Sequence, residues 1–226
     1  MNVSPLDNPV WHALNSYHNH LAIRGEGTAR YPPDIFFAAA VSENSKVGFA
    51  NLRHLVETSE IVGVLGLLPE DLAGWEVVHV DQAQQLIHED LKPAKQVDTV
   101  VLKAEDVPEM LDLVNLAQPG PFSPRAIELG EFLGLRQDGR LVAMAGQRLH
   151  LPGFCEVSTI CTHPDYRRRG YAGALTTMVA DSILEHQERP FLHVAPSNDR
   201  ALRLYLKLGF RIRAEIQVSI LKKLAD

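Results

Sequence analysis

Residues 159–175 combine positive charge with small side chains. The segment reads Thr159-Ile-Cys-Thr-His-Pro-Asp-Tyr-Arg-Arg-Arg-Gly-Tyr-Ala-Gly-Ala-Leu175, a strand-like run, an arginine-rich turn and the start of a helical pattern. The first turn of a helix has backbone N–H groups without internal partners and carries partial positive charge. Small residues let a ligand approach that backbone closely. The segment therefore predicts a phosphate-binding cradle, although it is neither a Walker loop nor a Gly-x-Gly-x-x-Gly turn.

A second segment places a tyrosine at helical spacing from small residues. It reads Asn198-Asp-Arg-Ala-Leu-Arg-Leu-Tyr-Leu-Lys-Leu-Gly-Phe210. Tyr205 follows Ala201 by one helical turn, and a phenol with a pKa of about 10 is protonated at neutral pH and can donate a proton. The alternative is a core tyrosine whose hydroxyl is only hydrogen-bonded. Asn198 stands where asparagine caps a helix.

The two segments together resemble a known family. Arg167-x-x-Gly170-x-Ala172 is similar to the (Gln/Arg)-x-x-Gly-x-(Gly/Ala) signature of the GCN5-related N-acetyltransferases (GNAT). Residues 198–210 look like that family's Asn-x-x-Ala-x-x-x-Tyr-x-x-x-Gly-Phe helix. The resemblance covers residues 99–226. It implies transfer of an acetyl group from acetyl-CoA to a primary amine, by direct attack in a ternary complex and without a metal.

The resemblance also implies a set of site residues. In this family the strand before the cradle splays from its neighbour, and its backbone pairs with the pantetheine arm of acetyl-CoA. The expected cofactor-binding residues are Ile160, Cys161, Thr162, Arg167, Arg168, Arg169, Gly170, Tyr171, Ala172, Gly173 and Asn198. Tyr205 is the expected acid that protonates the departing thiolate.

The base is left with two candidates. Glu156 matches the position of the glutamate base in the histone-acetylating members of the family, and a water chain could take the proton instead. A surface carboxylate at a strand end is the alternative interpretation of Glu156. Cys161 could be an acylated nucleophile, but family members transfer directly and a buried strand cysteine is usually inert.

The hydrophobic patterning supplies the elements that must position these residues. It predicts a helix near residues 47–56 and strands at 60–67 and 75–80, and Ile35–Val41 forms a short apolar segment. Beyond residue 98 it predicts strands at 99–103, 131–136, 140–149, 154–162, 189–195 and 210–221, with helices starting at 104, 170 and 198. Asp138-Gly139 predicts a hairpin turn.

These elements predict an α/β (α+β) fold of two parts. Residues 96–226 are expected to form a GNAT domain with a mixed, mostly antiparallel central sheet flanked by helices. Residues 1–95 are expected to form an extra N-terminal α/β lobe, and a degenerate copy of part of the GNAT fold is one interpretation of it. The boundary is placed in the polar stretch 88–98.

Composition limits the function classes. The chain has 226 residues and a formal net charge of −6, which argues against a nucleic-acid binder. No apolar stretch approaches membrane-spanning length, and residues 1–10 do not read as a signal peptide. Cys155 and Cys161 lie too far apart along one strand to bridge each other, so a cytoplasmic location is expected.

The expected partner is an amine acceptor, either a small molecule or a peptide, with the protein a monomer or homodimer. His12, His18 and His20 are expected to be surface or capping histidines, because their spacing fits no common metal site. A non-catalytic acyl-CoA sensor or interaction module is the competing interpretation, motivated by the unassigned first lobe.

Overall fold

The computed structural model describes residues 4–90, 92–93 and 95–225. Within these residues, eleven strands form one mixed sheet in the order β1-β2-β3-β4-β11-β5-β10-β9-β8-β7-β6. The strands are β1 Ile23–Gly25, β2 Thr28–Arg30, β3 Ala38–Val41, β4 Ile61–Leu65, β5 Trp75–His88, β6 Val100–Val101, β7 Phe132–Gln137, β8 Arg140–Leu151, β9 Phe154–Thr162, β10 Arg189–Val194 and β11 Phe210–Lys223. Most neighbours are antiparallel; β3 with β4 and β9 with β10 are parallel.

Helices cover both faces of the sheet. They are α1 Pro9–Leu14, α2 Lys46–Leu52, α3 Val107–Ala117, α4 Tyr171–Glu185 and α5 Asp199–Lys207. Ala143 and Ala145 of β8 belong to the apolar cluster that α4 buries, whereas Met144 between them belongs to the cluster that α3 buries. Because successive strand residues point to opposite faces, α3 and α4 pack on opposite sides of the sheet.

Two parallel strands separate in the middle of the sheet. β9 and β10 pair only at their starts, from Arg189 with Phe154 to Phe191 with Glu156. Beyond that point β10 stays paired with β5, and β9 stays paired with β8. The facing edges of the two strands are therefore open after Glu156, which gives the splay that the family resemblance implies.

A bulge interrupts β9 inside the splayed region. Its register against β8 shifts between Ser158 and Cys161, and Thr159 between them has a φ of 53°. A positive φ is unfavourable for a β-branched residue, and a bulge leaves backbone groups outside the ladder. The bulge therefore lies in the stretch of β9 whose other edge is left open by β10.

Most predicted elements are present, with shifted ends. The Asp138-Gly139 turn is confirmed, because both residues have the positive φ that such a turn requires. The predicted strand at 75–80 is too short, since β5 extends to His88. β6 is shorter than predicted, and α1, β1 and β2 in the turn-rich first 34 residues were not predicted.

The sheet joins the two predicted parts of the chain. β5 comes from the first part and lies between β10 and β11 of the second. The boundary between residues 95 and 96 stays a prediction, and Leu91 and Ala94 beside it lie outside the described residues. Cys155 and Cys161 are both free and buried, and they lie at opposite ends of β9, as their spacing in the sequence predicts. No helix in the described part of the chain is long and apolar enough to cross a membrane.

Candidate active site

A cleft of ≈ 640 Å³ opens where β9 and β10 separate. Its walls come from β9, the start of α4, the end of β10, α5 and the loop after α3. Eleven of the thirteen residues predicted for the site line it: Ile160, Cys161, Thr162, Arg167, Arg168, Gly170, Tyr171, Ala172, Gly173, Asn198 and Tyr205. The fold therefore gathers most of the predicted site into one space.

The N-terminus of α4 forms one wall of the cleft. Gly170 caps the helix with a φ of 85°, a conformation that glycine adopts without strain. The first backbone hydrogen bond of the helix runs from the N–H of Ala174 to the carbonyl of Gly170. The N–H groups of residues 171–173 precede that bond and are left for a ligand. A Cβ atom at Gly170 would meet no neighbour within 4 Å, so the approach is open.

The arginines of the turn do not all face the cleft. Arg167 and Arg168 line it, and Arg167 donates weakly to the Thr162 carbonyl at 3.4 Å. Arg169 lies outside the lining, with its guanidinium 4.8 Å from the centre of the Tyr166 ring. Arg200 of α5, which the sequence did not single out, joins the lining instead.

Tyr205 lies on the buried face of α5 with 7% of its surface exposed. Its ring packs against Phe210, and its hydroxyl makes no hydrogen bond to any other described residue. Burial raises the pKa of Tyr205 to about 12, so the phenol stays protonated. A protonated phenol in the cleft wall without a protein partner can donate to a ligand.

Asn198 and Thr162 occupy the cleft wall in different ways. Asn198 caps α5, with its Oδ1 accepting from the N–H of Ala201 at 3.1 Å, as the sequence predicts. The Thr162 hydroxyl is buried and has no hydrogen-bond partner among the described residues. A buried hydroxyl without a partner is costly, so this position favours a ligand that bonds to it.

Glu156 is neither a surface carboxylate nor part of the cleft lining. It is fully buried, and its Oε2 and Oε1 accept from Nε and Nη2 of Arg148 at 2.8 and 2.7 Å. The same Oε1 lies 2.7 Å from Nδ1 of His193. Burial alone would raise the pKa of Glu156, but Arg148 and His193 together lower it to about 2. A carboxylate so stabilised in its ionised form is a weak proton acceptor.

Sequence reasoning missed Arg148 and His193, which line the cleft above Glu156. The 148 and 193 side chains are 19% and 8% exposed. Arg148 stands in the largely apolar strand β8, and His193 stands in the largely apolar strand β10. A polar residue in a buried strand position needs a partner, and that signal could have paired both with Glu156.

A glutamine fixes the tautomer of His193. Gln85 accepts from Nη1 of Arg213 through Oε1, so its Nε2 is the side that faces the carbonyl of Leu6 at 3.0 Å and Nε2 of His193 at 3.1 Å. An amide nitrogen only donates, so Nε2 of His193 must accept. The proton of the neutral imidazole is then on Nδ1, where it is donated to Glu156.

Cys161 has the properties of an inert thiol. Its side chain packs with Met110 and Met144 in the cluster below α3, and burial raises its pKa to about 12. Since the thiolate is the nucleophile, such a cysteine reacts slowly.

The histidines at the N-terminus include one core residue. His18 is buried, between the Tyr31 hydroxyl at 2.7 Å and the Leu129 carbonyl at 3.0 Å, which corrects its prediction as a surface or capping histidine. No cluster of three or more potential metal ligands exists among the described residues.

Comparison with known proteins places the chain in a family. A family model described as FR47-like protein matches residues 132–218. The structure of a putative acetyltransferase from the GNAT family of Novosphingobium aromaticivorans matches with a TM-score of 0.89 and 34% identity, over 99% of this chain and 100% of that one. The chain belongs to the GCN5-related N-acetyltransferase family. As a GNAT protein it is an acetyltransferase with the mixed central sheet of that family. The match includes the N-terminal part, so a GNAT relative shares the whole architecture.

Two further matches are a relative that aligns over part of its length and a structure that shares the fold. Mycothiol acetyltransferase of Acidimicrobium ferrooxidans is 35% identical over 89 residues, which are 37% of this GNAT chain and only 29% of that protein. A GCN5-related N-acetyltransferase from Kribbella flavida shares the fold, with a TM-score of 0.62 and 18% identity over 95% of this chain and 96% of that one.

Proposed function

We propose that this GNAT protein transfers an acetyl group from acetyl-CoA to a primary amine by direct attack in a ternary complex. The observation that carries the proposal is the cleft itself. It brings together the start of α4, the open edge of β9 and the Tyr205 hydroxyl. A donor with phosphates at one end and a thioester at the other fits that succession of groups.

The phosphate end of acetyl-CoA fits the start of α4. Free N–H groups at a helix N-terminus bind anions, and Arg167, Arg168 and Arg200 add positive charge along the same wall. We propose that the pyrophosphate sits on residues 170–173 and that one of the arginines at 167–169 binds the adenosine 3′-phosphate. Arg169, which stacks on Tyr166, is the predicted cofactor residue with the least support.

The pantetheine arm fits the open edge of β9. We propose that it pairs with the backbone of residues 160–162, where β10 has already separated. The orphaned Thr162 hydroxyl lies in this stretch and would gain a partner. Strand addition at an unpaired edge satisfies backbone groups that the sheet leaves open.

The chemistry then needs one acid and one base. The amine nitrogen attacks the thioester carbonyl carbon, the C–S bond breaks, and the sulfur leaves as a thiolate. Tyr205 donates to that sulfur, and the amine loses one proton to the base. Tyr205 is well suited to its part, because burial keeps its hydroxyl protonated.

We propose that Glu156 serves this step through His193. The Glu156 carboxylate is buried and its pKa is about 2, so it orients the imidazole rather than receiving the proton itself. The neutral Nε2 of His193 is the proton acceptor, once the hydrogen bond from Gln85 opens. A water chain remains the competing base, and the variant His193→Gln separates the two. We expect kcat to fall at least about tenfold if His193 accepts the proton and to stay close to that of the unaltered protein if water does.

Initial-rate kinetics test the direct route. Varying acetyl-CoA at several amine concentrations should give intersecting double-reciprocal lines, as for a ternary complex. The variant Cys161→Ala should keep kcat within about threefold, because the thiol is buried and its pKa raised. Parallel lines together with an inactive Cys161→Ala variant would show an acyl-cysteine intermediate instead.

The loop after α3 completes the acceptor side. Ala117 at the end of α3 and the loop residues Gln118, Pro119, Gly120 and Pro121 line the cleft. We propose that this proline-rich loop shapes the acceptor pocket for a small-molecule or peptide amine. The two reduced thiols suit a cytoplasmic location, which is part of the same proposal.

A further inference from the structure

The charged residues that line the cleft are all basic. Arg148, Arg167, Arg168 and Arg200 contribute guanidinium groups, and the described lining contains no aspartate or glutamate. The whole chain has a formal net charge of −6, so its overall charge does not predict the charge of the cleft. A polycationic acceptor would meet repulsion there without a counter-charge.

Arg148 differs from the other three arginines in its fixed position. Two of its nitrogens, Nε and Nη2, hold both oxygens of Glu156, and its guanidinium lies 5.1 Å from the centre of the Phe36 ring. Its third nitrogen, Nη1, makes no hydrogen bond to a described residue and is not buried. The cleft therefore contains a rigid, charged donor that the protein leaves unpaired.

Arg148 and His193 are held at a short, fixed separation. Both bond to the same oxygen, Oε1 of Glu156, at 2.7 Å each. The proton acceptor of the proposed reaction and a carboxylate-binding guanidinium therefore lie side by side.

We propose that the acceptor is a small amine that carries a carboxylate, as an amino acid does, and that Nη1 of Arg148 binds this carboxylate. The inference rests on the proposed function and names the substrate class of that same site. Charge-assisted hydrogen bonds from arginine to carboxylate are strong and directional. Arg148 thereby sets the specificity, and the bound carboxylate holds the amine beside His193.

Matched substrates test this on the unaltered protein. Acetyl-CoA turnover is measured with each of the common amino acids, its carboxamide and its decarboxylated amine, together with short peptides that have a free N-terminus. Rates are compared per unprotonated amine, because the amine pKa differs within each set. For the best amino acid we expect a kcat/KM at least about tenfold above that of its carboxamide.

A variant shows whether Arg148 causes the preference. Replacing Arg148 alone would leave the Glu156 charge buried without a partner, which is strongly destabilising. The double variant Arg148→Gln/Glu156→Gln removes both charges and keeps polar side chains, and its preference for acid over carboxamide should fall to near one. Arg211→Gln, an exposed arginine outside the cleft, is the matched control and should keep the full preference.

The outcomes separate this inference from the proposed function. Equal or faster turnover of carboxamides, decarboxylated amines or peptides would overturn the carboxylate acceptor and leave acetyl transfer intact. A preference that survives in the folded double variant would overturn the role of Arg148. If no amine of any class is acetylated, the proposed function fails together with the inference. Should the double variant not fold, the substrate ratio of the unaltered protein decides.

Discussion

At the scale of single residues, the proposed acid has a sharp kinetic signature. Tyr205→Phe removes only the hydroxyl, which makes no bond to a described residue, so the packing against Phe210 should persist. We expect kcat to fall at least about tenfold, because the thiolate loses its donor, and the dissociation constant of CoA to change little. Stopped-flow turnover measures kcat, and calorimetric titration measures the dissociation constant of CoA. An unchanged kcat would remove Tyr205 from the mechanism.

The site residues that were predictable from the sequence lie in local motifs, whereas the residues that were missed come from separate strands. The arginines, the glycines and Tyr205 stand in two local motifs, so their roles follow from spacing within one turn and one helix. Arg148, His193 and Gln85 stand on three different strands and meet only through the order of the sheet. Glu156 was predicted from the sequence as a candidate base. In the structure it is a buried carboxylate that Arg148 and His193 stabilise in its ionised form.

At the scale of elements, α5 positions Tyr205 and depends on its cap. The side chain of Asn198 satisfies one of the free N–H groups at the start of the helix. We expect Asn198→Ala to lower the free energy of unfolding by about 1 kcal/mol, whereas Asn198→Ser retains a capping oxygen and should cost less. Urea denaturation of the three proteins measures this difference. Equal loss in both variants would mean that the cap contributes nothing specific.

Helix and strand patterns were predictable where they are local. α4, α5 and β9 are periodic segments bounded by Pro164, Gly170 and Gly209, which punctuate the chain strongly. β5 was predicted too short because residues 81–88 are mostly polar in sequence, Asp81-Gln-Ala-Gln-Gln-Leu-Ile-His88, and extend the strand by pairing with β10 and β11. Its length is set by β10 and β11 rather than by its own pattern.

At the scale of the whole molecule, His18 links the N-terminal segment to the rest of the chain. It bonds to Tyr31 after β2 and to Leu129 before β7. Burial and the neighbouring His150 lower its pKa from 6.5 to about 4. Between those pH values the unfolded chain binds a proton at His18 that the native state does not. The contribution of His18 to the free energy of unfolding is therefore complete above pH 6.5 and is lost as the pH falls towards 4.

This linkage predicts a measurable change in pH dependence. The loss between pH 7 and pH 4.5 should include a contribution of up to about 3 kcal/mol from His18. His18→Gln should be less stable at pH 7 and should lose less on acidification, while His20→Gln, an exposed neighbour, should behave like the unaltered protein. Urea denaturation at both pH values provides the test. Equal acid sensitivity in the unaltered and His18→Gln proteins would contradict the assignment.

The central claim is that the cleft between β9 and β10 transfers an acetyl group from acetyl-CoA to an amine. The most direct measurement incubates the purified protein with acetyl-CoA and the amine panel and follows both free CoA thiol and the mass of the amine. We predict thiol release matched by one acetyl group on the nitrogen of an acceptor, and strong loss of both in Tyr205→Phe. Binding of CoA without acetylation of any amine would contradict the claim and favour a protein that only senses acyl-CoA.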